Sequence, residues 1–553
     1  MADLQTLIDE FLANDYEASP VLASGLGLTD YDERLDDLSA AAFGKRDSDA
    51  EDYLARFRAV PDEGLSADER IDRDLAVAML RGRTIQADWQ GWKRDPIVYS
   101  GPVLNSLFVL FLHRLRPNAE LVDAAVARLE QIPRALEQGR ANLDASLAHP
   151  LIVERGLSSA RAGARYVREL LLTEAETDSG RDRLRVAGAI AGDAFDAWVG
   201  FLEGLLAQAN GEWQWGEERY TRMLRERESL DHDARSLREM GQAEYDRLDA
   251  EMQALCREAR GTDDWRAVLE EANEDHPRTE EEMRRAYAEW TERARIFLAE
   301  TGLVTMPVGE SCAVVPSPVF QRPVLGVAFY IAPPAFSDLL TGHFFVPFAP
   351  DGTPAEEVQK RLASNNYGSI PTTSVHEAYP GHHWHLTWSK MHGSPIRRVL
   401  STPYFSEGWA LYSERVMRER GFFADPLQEL YHLEATIFRA ARIVVDTSLH
   451  LGEMTFEEAV TFMTTKVPLP EPTARAEVGR YCWWPTQASA YLTGCLEILR
   501  IRERYLEARG LAGVPPAEVD VAVLREFHDR LAGSGRLPLG LAERAVMEST
   551  PVM

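Results

Sequence analysis

Residues 374–388 read SVHEAYPGHHWHLTW, and the reading of the whole chain turns on them. Five of the 13 histidines, His376, His382, His383, His385 and His392, fall within seventeen residues. A single histidine on a helix is ordinarily a core or surface residue. A cluster led by a His-Glu pair points instead to a metal, because imidazole is the commonest protein ligand for borderline metals and the adjacent carboxylate can serve as base. In the HExxH arrangement the histidines at i and i+4 share one helix face. Here i+4 is Pro380, whose ring clashes with the carbonyl of His376 in a regular helix. On an unbroken helix His382 points away from His376. His383 shares its face but lies about 10 Å further along the axis. Pro380-Gly381 is a chain-breaking pair, and a bulge there re-phases the second histidine. Spacing alone leaves both His382 and His383 open as the second ligand.

A third ligand is needed, and residues 404–421 read YFSEGWALYSERVMRERG. The pattern is helical, with Ser406 as N-cap and Gly421 as stop. Glu407 lies 31 residues after His376 and 25 after His382. A second helix that brings a carboxylate to two histidines matches a catalytic His₂Glu zinc site, which keeps one position for water. The expectation is one Zn²⁺ per chain on His376, either His382 or His383, and Glu407, with Glu377 as the base. Glu414, two turns on, either supports a ligand or faces solvent.

Outward from this segment, helical periodicity dominates. Ser66 with Glu69, Thr279 with Glu282 and Thr455 with Glu458 are capping-box patterns ahead of amphipathic runs. From 303 to about 350 the character changes: prolines cluster among β-rich pieces, VLGVAFYIA (324–332) and GHFFVPF (342–348). A small antiparallel β insert is expected at 303–350. It opens a catalytic part (303–553) that follows an N-terminal α-helical lobe (1–302), or the two form one continuous domain. Edge pairing of GHFFVPF with a substrate backbone is a further expectation.

The chain has 553 residues and a net charge of −28. A surface that acidic repels phosphate backbones and anionic membranes, so neither nucleic acid nor membrane is an expected partner. The four cysteines, Cys256, Cys312, Cys482 and Cys495, lack CxxC spacing and read as free thiols. The start of the chain, MADLQTLIDEFLAND, carries acids where a signal peptide carries a basic start and an apolar run. A cytoplasmic location is expected from these features.

HEAYPGHH (376–383), SEGWALYSE (406–414) and EVGRYCWWPTQASAYLTG (477–494) together resemble the bacterial domain-of-unknown-function 885 family. The opening SPVLASGLGLTDYDERLDDLS (19–39) extends the resemblance over nearly the whole chain, and His385 stands where many members carry glutamine. That family is similar to carboxypeptidase-Taq-type helical zinc metallopeptidases. The resemblance implies a mainly α, two-lobed cleft fold and favours His382 over His383, because aligning Gly381-His382 makes the motif a two-residue expansion of HExxH. It also implies metal-assisted hydrolysis of short peptides or peptide-like amides. Zinc would polarise the carbonyl and acidify water, and Glu377 would move the proton. Tyr481 or Tyr491 would donate to the oxyanion, with Arg480 and Gln487 nearby for substrate.

Two other readings compete. A di-iron bundle needs two ExxH motifs, and Glu429–His432 is the single one found. A metal-dependent amidase on a non-peptide metabolite shares the core chemistry, while a non-catalytic metal-binding protein would not need Glu377.

Overall fold

The computed structural model describes residues 3–319, 321–322 and 326–548. It is mainly helical, with a small three-stranded sheet near the middle of the chain. Pro323 and residues 324–325 of the VLGVAFYIA piece lie outside the described residues. Ser66 and Thr455 close true capping boxes with Glu69 and Glu458. Thr279 accepts the Glu282 amide, but the Glu282 carboxylate turns one residue back, to the Arg278 amide.

The sheet comprises β1 (Ser311–Pro316), β2 (Phe329–Ile331) and β3 (Thr341–Val346), in the order β1-β3-β2. It is mixed rather than antiparallel: β3 runs parallel to β1, Ser311 opposite Thr341, and antiparallel to β2, Phe329 opposite Phe345. The parallel pair is possible because the long 317–340 connection, which contains β2, carries the chain back to the starting end. β3 is therefore the central strand. Both its edges are paired, so the expected pairing of GHFFVPF with a substrate backbone has no free edge to use. Phe344 points to one face, against Tyr287 of the Glu280–Thr301 helix, and Phe345 to the other, against Phe329.

Two large hydrophobic cores, with a small third cluster at Ile85, Trp215 and Met223, organise the helices. The larger runs from Leu4 to Val546 and gathers the helices that carry the histidine segment. The second lies between Leu35 and Leu205, on the helices Ile97–His113, Asn118–Asn142 and Asp178–Leu206. One close contact within the larger core decides where the site forms. The helices Pro403–Glu419 and Ala490–Glu507 cross at Gly408 and Gly494, where a Cβ on Gly494 would lie 2.0 Å from the Tyr404 carbonyl oxygen. Only glycine at both positions permits this backbone contact. It places Tyr491, one turn before Gly494, beside the turn that carries Glu407. Among the described residues no single helix is long and apolar enough to cross a membrane.

Candidate metal centre

The histidine motif is two helices, not one. The first, Ile370–Glu377, ends where Ala378 leaves the helical region, and the second, His382–His392, begins after Tyr379-Pro380-Gly381. The turn is bound internally: the Gly381 amide donates to the Val375 carbonyl at 3.1 Å, and the Trp384 amide to the Ala378 carbonyl at 3.1 Å. Trp409 Nε1 donates to the Pro380 carbonyl at 2.8 Å. A Cβ on Gly381 would sit 1.9 Å from the His376 carbonyl oxygen, so this position accepts no side chain. The turn cancels the phase error that an unbroken helix would impose. The His376 and His382 rings meet edge to face, with centroids 4.9 Å apart.

Glu407 completes the group. Its helix starts at Pro403 with Thr402 as N-cap, not at Ser406. The reason is local: Thr402 accepts the Tyr404 amide, and proline at the first helical position has its φ preset. Ser406 instead bonds back to the Thr402 carbonyl, inside the first turn. Glu407 Oε2 lies 3.6 Å from His376 Nε2 and 3.4 Å from His382 Nε2, and the three donor atoms fall within 4.8 Å of one another. Tetrahedral zinc with bonds of about 2.0–2.1 Å separates neighbouring donors by about 3.4 Å. The donor chemistry and the spacing of this trio fit that ion.

The buried Glu414 holds His376 from behind. Its Oε1 is 2.7 Å from His376 Nδ1, and its Oε2 is 3.4 Å from His432 Nδ1. With Nδ1 donating to a carboxylate, Nε2 of His376 is the atom turned to Glu407. Burial alone would raise the Glu414 carboxyl, but His376 and His432 hold it down at about 2. Glu407 is likewise held far below the usual carboxylate range, because the two imidazoles facing it outweigh burial. His376 is the mirror case: burial would lower it, but Glu407 and Glu414 raise it to about 9. Glu377 is buried and displaced upward by desolvation, the direction that suits a proton acceptor.

The two tyrosines are placed differently. The Tyr491 ring lies parallel to His376 at a centroid distance of 6.3 Å. Its hydroxyl accepts from Gln487 Nε2 at 3.2 Å, which leaves its own proton to donate. Tyr481 is fully buried, donates to Glu477 at 2.7 Å and accepts from Arg442 Nε at 3.2 Å. Arg480 also pairs with Glu477 and bonds to Gln487, so its charge is already matched. Arg439 was not singled out by the sequence. Among the described residues it forms no ion pair; its Nη1 donates to the Ala435 carbonyl at 2.8 Å, its Nε is buried and unpartnered, and it lies over the Tyr491 ring and within electrostatic reach of Glu377, Glu414 and Glu434.

His383 is not among the clustered donors. Both of its nitrogens are engaged on the sheet side, Nδ1 with Tyr330 at 2.8 Å and Nε2 with Glu310 at 2.5 Å. His385 is buried against Phe405 and Trp409, with neither nitrogen hydrogen-bonded, and burial holds it neutral, well below the usual histidine range. All four cysteines are free, as read, with Cys312 half-buried and the others buried.

A mainly helical chain that carries, among the described residues, one His₂Glu cluster is thus the class that fold and site define. The chain belongs to the family described as "Bacterial protein of unknown function (DUF885)", whose model matches residues 20–546. No curated protein matches it. Its fold is shared by solved structures, among them two described as putative lipoproteins. One is described as a "putative lipoprotein of unknown function" from Shewanella oneidensis, with 20% identity, a TM-score of 0.78, and 98% of this chain and 99% of that chain covered. The other is described as the "putative lipoprotein" from Colwellia psychrerythraea, with 20% identity, a TM-score of 0.81, and 98% of each chain covered. The expectation of a cytoplasmic location is corrected by these two descriptions. It rested on the unpaired cysteines and on the acids of the first fifteen residues, which report composition and not the route of the protein.

Proposed function

We propose that this protein is a zinc-dependent hydrolase of peptide or peptide-like C–N bonds, with the two-lobed cleft architecture of carboxypeptidase-Taq-type enzymes. The observation that carries the reading is the convergence of His376 Nε2, His382 Nε2 and Glu407 Oε2, with the buried Glu377 next to His376 in the chain. A metal held only for structure needs no such base. Zinc on this trio supplies a Lewis acid that polarises a carbonyl and acidifies water. Glu377 takes the proton of the attacking water and passes it to the leaving amine. Tyr491 donates its free hydroxyl proton to the developing oxyanion. Arg439, a guanidinium that forms no ion pair among the described residues, suits a substrate that brings its own carboxylate. That favours a short peptide over a neutral amide metabolite, which is the alternative substrate class.

The test is a mixed peptide library, free and blocked at either end, read by mass spectrometry on zinc-loaded protein. Glu377→Gln serves as control, because the amide keeps the shape without accepting a proton. Cleavage by the wild type, reduced by a factor of about 10² to 10⁴ in the variant, is expected for loss of a general base. If no peptide is cut while a small non-peptide amide is, the peptidase reading fails and the amidase reading takes its place.

A further inference from the structure

The segment that breaks the histidine motif is gripped from outside, and the grip comes from the sheet. Glu310 immediately precedes β1. One of its oxygens, Oε2, accepts from the Tyr379 hydroxyl at 2.5 Å and from His383 Nε2 at 2.5 Å. These two donors flank the break, Tyr379 on its N-terminal side and His383 on its C-terminal side. On the other side of the His383 ring, the Tyr330 hydroxyl of β2 lies 2.8 Å from Nδ1. His383 is fully buried, so its orientation is set entirely by these partners.

We propose that Glu310, Tyr379 and His383 are positioning residues that set where His382 points. The role rests on the metal-site reading but not on the hydrolytic one. The geometry behind it is elementary. Neighbouring residues on a helix project about 100° apart, so fixing the rotation of His383 fixes that of His382. Pro380 lacks a backbone donor, and Gly381 and Trp384 bond to Val375 and Ala378, six residues back, in place of the ordinary four-residue step. The carboxylate that bridges Tyr379 and His383 ties the side chains on either side of this looser turn. The last histidine of HEAYPGHH, His383, is then explained without a metal bond. It is the handle by which the sheet holds the second helix in phase with the first.

The test uses cobalt(II) as the probe, since its visible ligand-field bands report the geometry of the bound ion directly. Wild type, Glu310→Gln, Tyr379→Phe, His383→Leu and His383→Gln are titrated with cobalt(II) against a competing chelator. The thermal midpoint of each metal-free protein is measured alongside. Expected are a roughly tenfold or greater loss of affinity and altered band intensity in Glu310→Gln and His383→Leu, with folded metal-free protein. Tyr379→Phe should lose less, and His383→Gln, which keeps a donor and an acceptor, should recover part of the affinity. Folded variants with wild-type affinity and spectrum overturn the proposal and leave His383 a plain core residue. Should His383→Leu not fold, Tyr379→Phe and Glu310→Gln decide in the same way. A wild type that binds cobalt but cleaves nothing refutes the hydrolase reading alone; one that takes up no cobalt overturns the metal site and this role together.

Discussion

Glu414 Oε1 lies 2.7 Å from His376 Nδ1, deep enough that the carboxylate has no exposed surface. This contact fixes the histidine ring and makes Nε2 the free donor. Replacing Glu414 by glutamine keeps the volume and removes the charge. Zinc affinity should fall by a factor of about 10 to 100, the usual cost of losing such a partner. Chelator competition on the folded variant measures it, and an unchanged dissociation constant would show that Glu414 only fills space.

Metal uptake should release a proton. His376 in the metal-free protein is raised to about 9 by Glu407 and Glu414 against the lowering effect of burial, and a metal takes only the neutral ring. The sign follows from the direction of that shift. The protonated ring stabilises the metal-free fold fully below the unfolded histidine value of about 6.5, and this contribution is lost as pH rises through about 9. Apparent zinc affinity should therefore climb with pH up to about 9. Calorimetry in buffers of different ionisation enthalpy counts the protons. Near pH 7 about one should leave per metal from this site; none leaving would mean that the ring is already neutral.

Tyr491→Phe and Tyr481→Phe should separate cleanly. Tyr491 keeps a hydroxyl proton to donate beside His376, and its loss should lower kcat by roughly 10² to 10³, the cost of one oxyanion donor. Tyr481 spends its hydroxyl on Glu477 and Arg442 in the interior, so its loss should lower the thermal midpoint and leave kcat within a few-fold. Equal kcat losses in both variants would remove the distinction.

Arg439→Met should raise KM for peptides with a free carboxylate at least tenfold while sparing those blocked at that end, as expected for loss of a charged hydrogen bond. Arg480→Met should not discriminate between the two sets, because Arg480 is already matched by Glu477. Discrimination by Arg480→Met in place of Arg439→Met would return the role to the residue that the sequence suggested.

Much of the site was legible in the chain because it is local. His376, Glu377 and His382 fall within seven residues, and Pro380-Gly381 announces the break between them. Glu407 stands at the start of the next strongly helical run. What was not legible depends on distant partners. Nothing around Glu310 or Tyr330 signals a contact with His383, which arises only when the sheet packs on the broken helix. Arg439 is one arginine among many until the pairing of its neighbours Arg442 and Arg480 with Glu477 marks it, among the described residues, as the one of the three without an ion pair. Ser406 looked like an N-cap because its residue type suits one, yet Thr402-Pro403 suits it better and lies four residues earlier. The strand pairing was misread because period-two patterning identifies strands without fixing their order or direction.

The most direct measurement is the metal content of protein purified without chelators, then supplied with Zn²⁺ and desalted, for wild type and Glu407→Ala side by side. The expected result is close to one zinc per chain in the wild type, and a marked loss in Glu407→Ala, since His376 Nε2 and His382 Nε2 alone offer two donors to an ion that takes four. Less than about a tenth of an equivalent in the wild type after zinc addition, or equal content in both proteins, would contradict a metal centre on His376, His382 and Glu407.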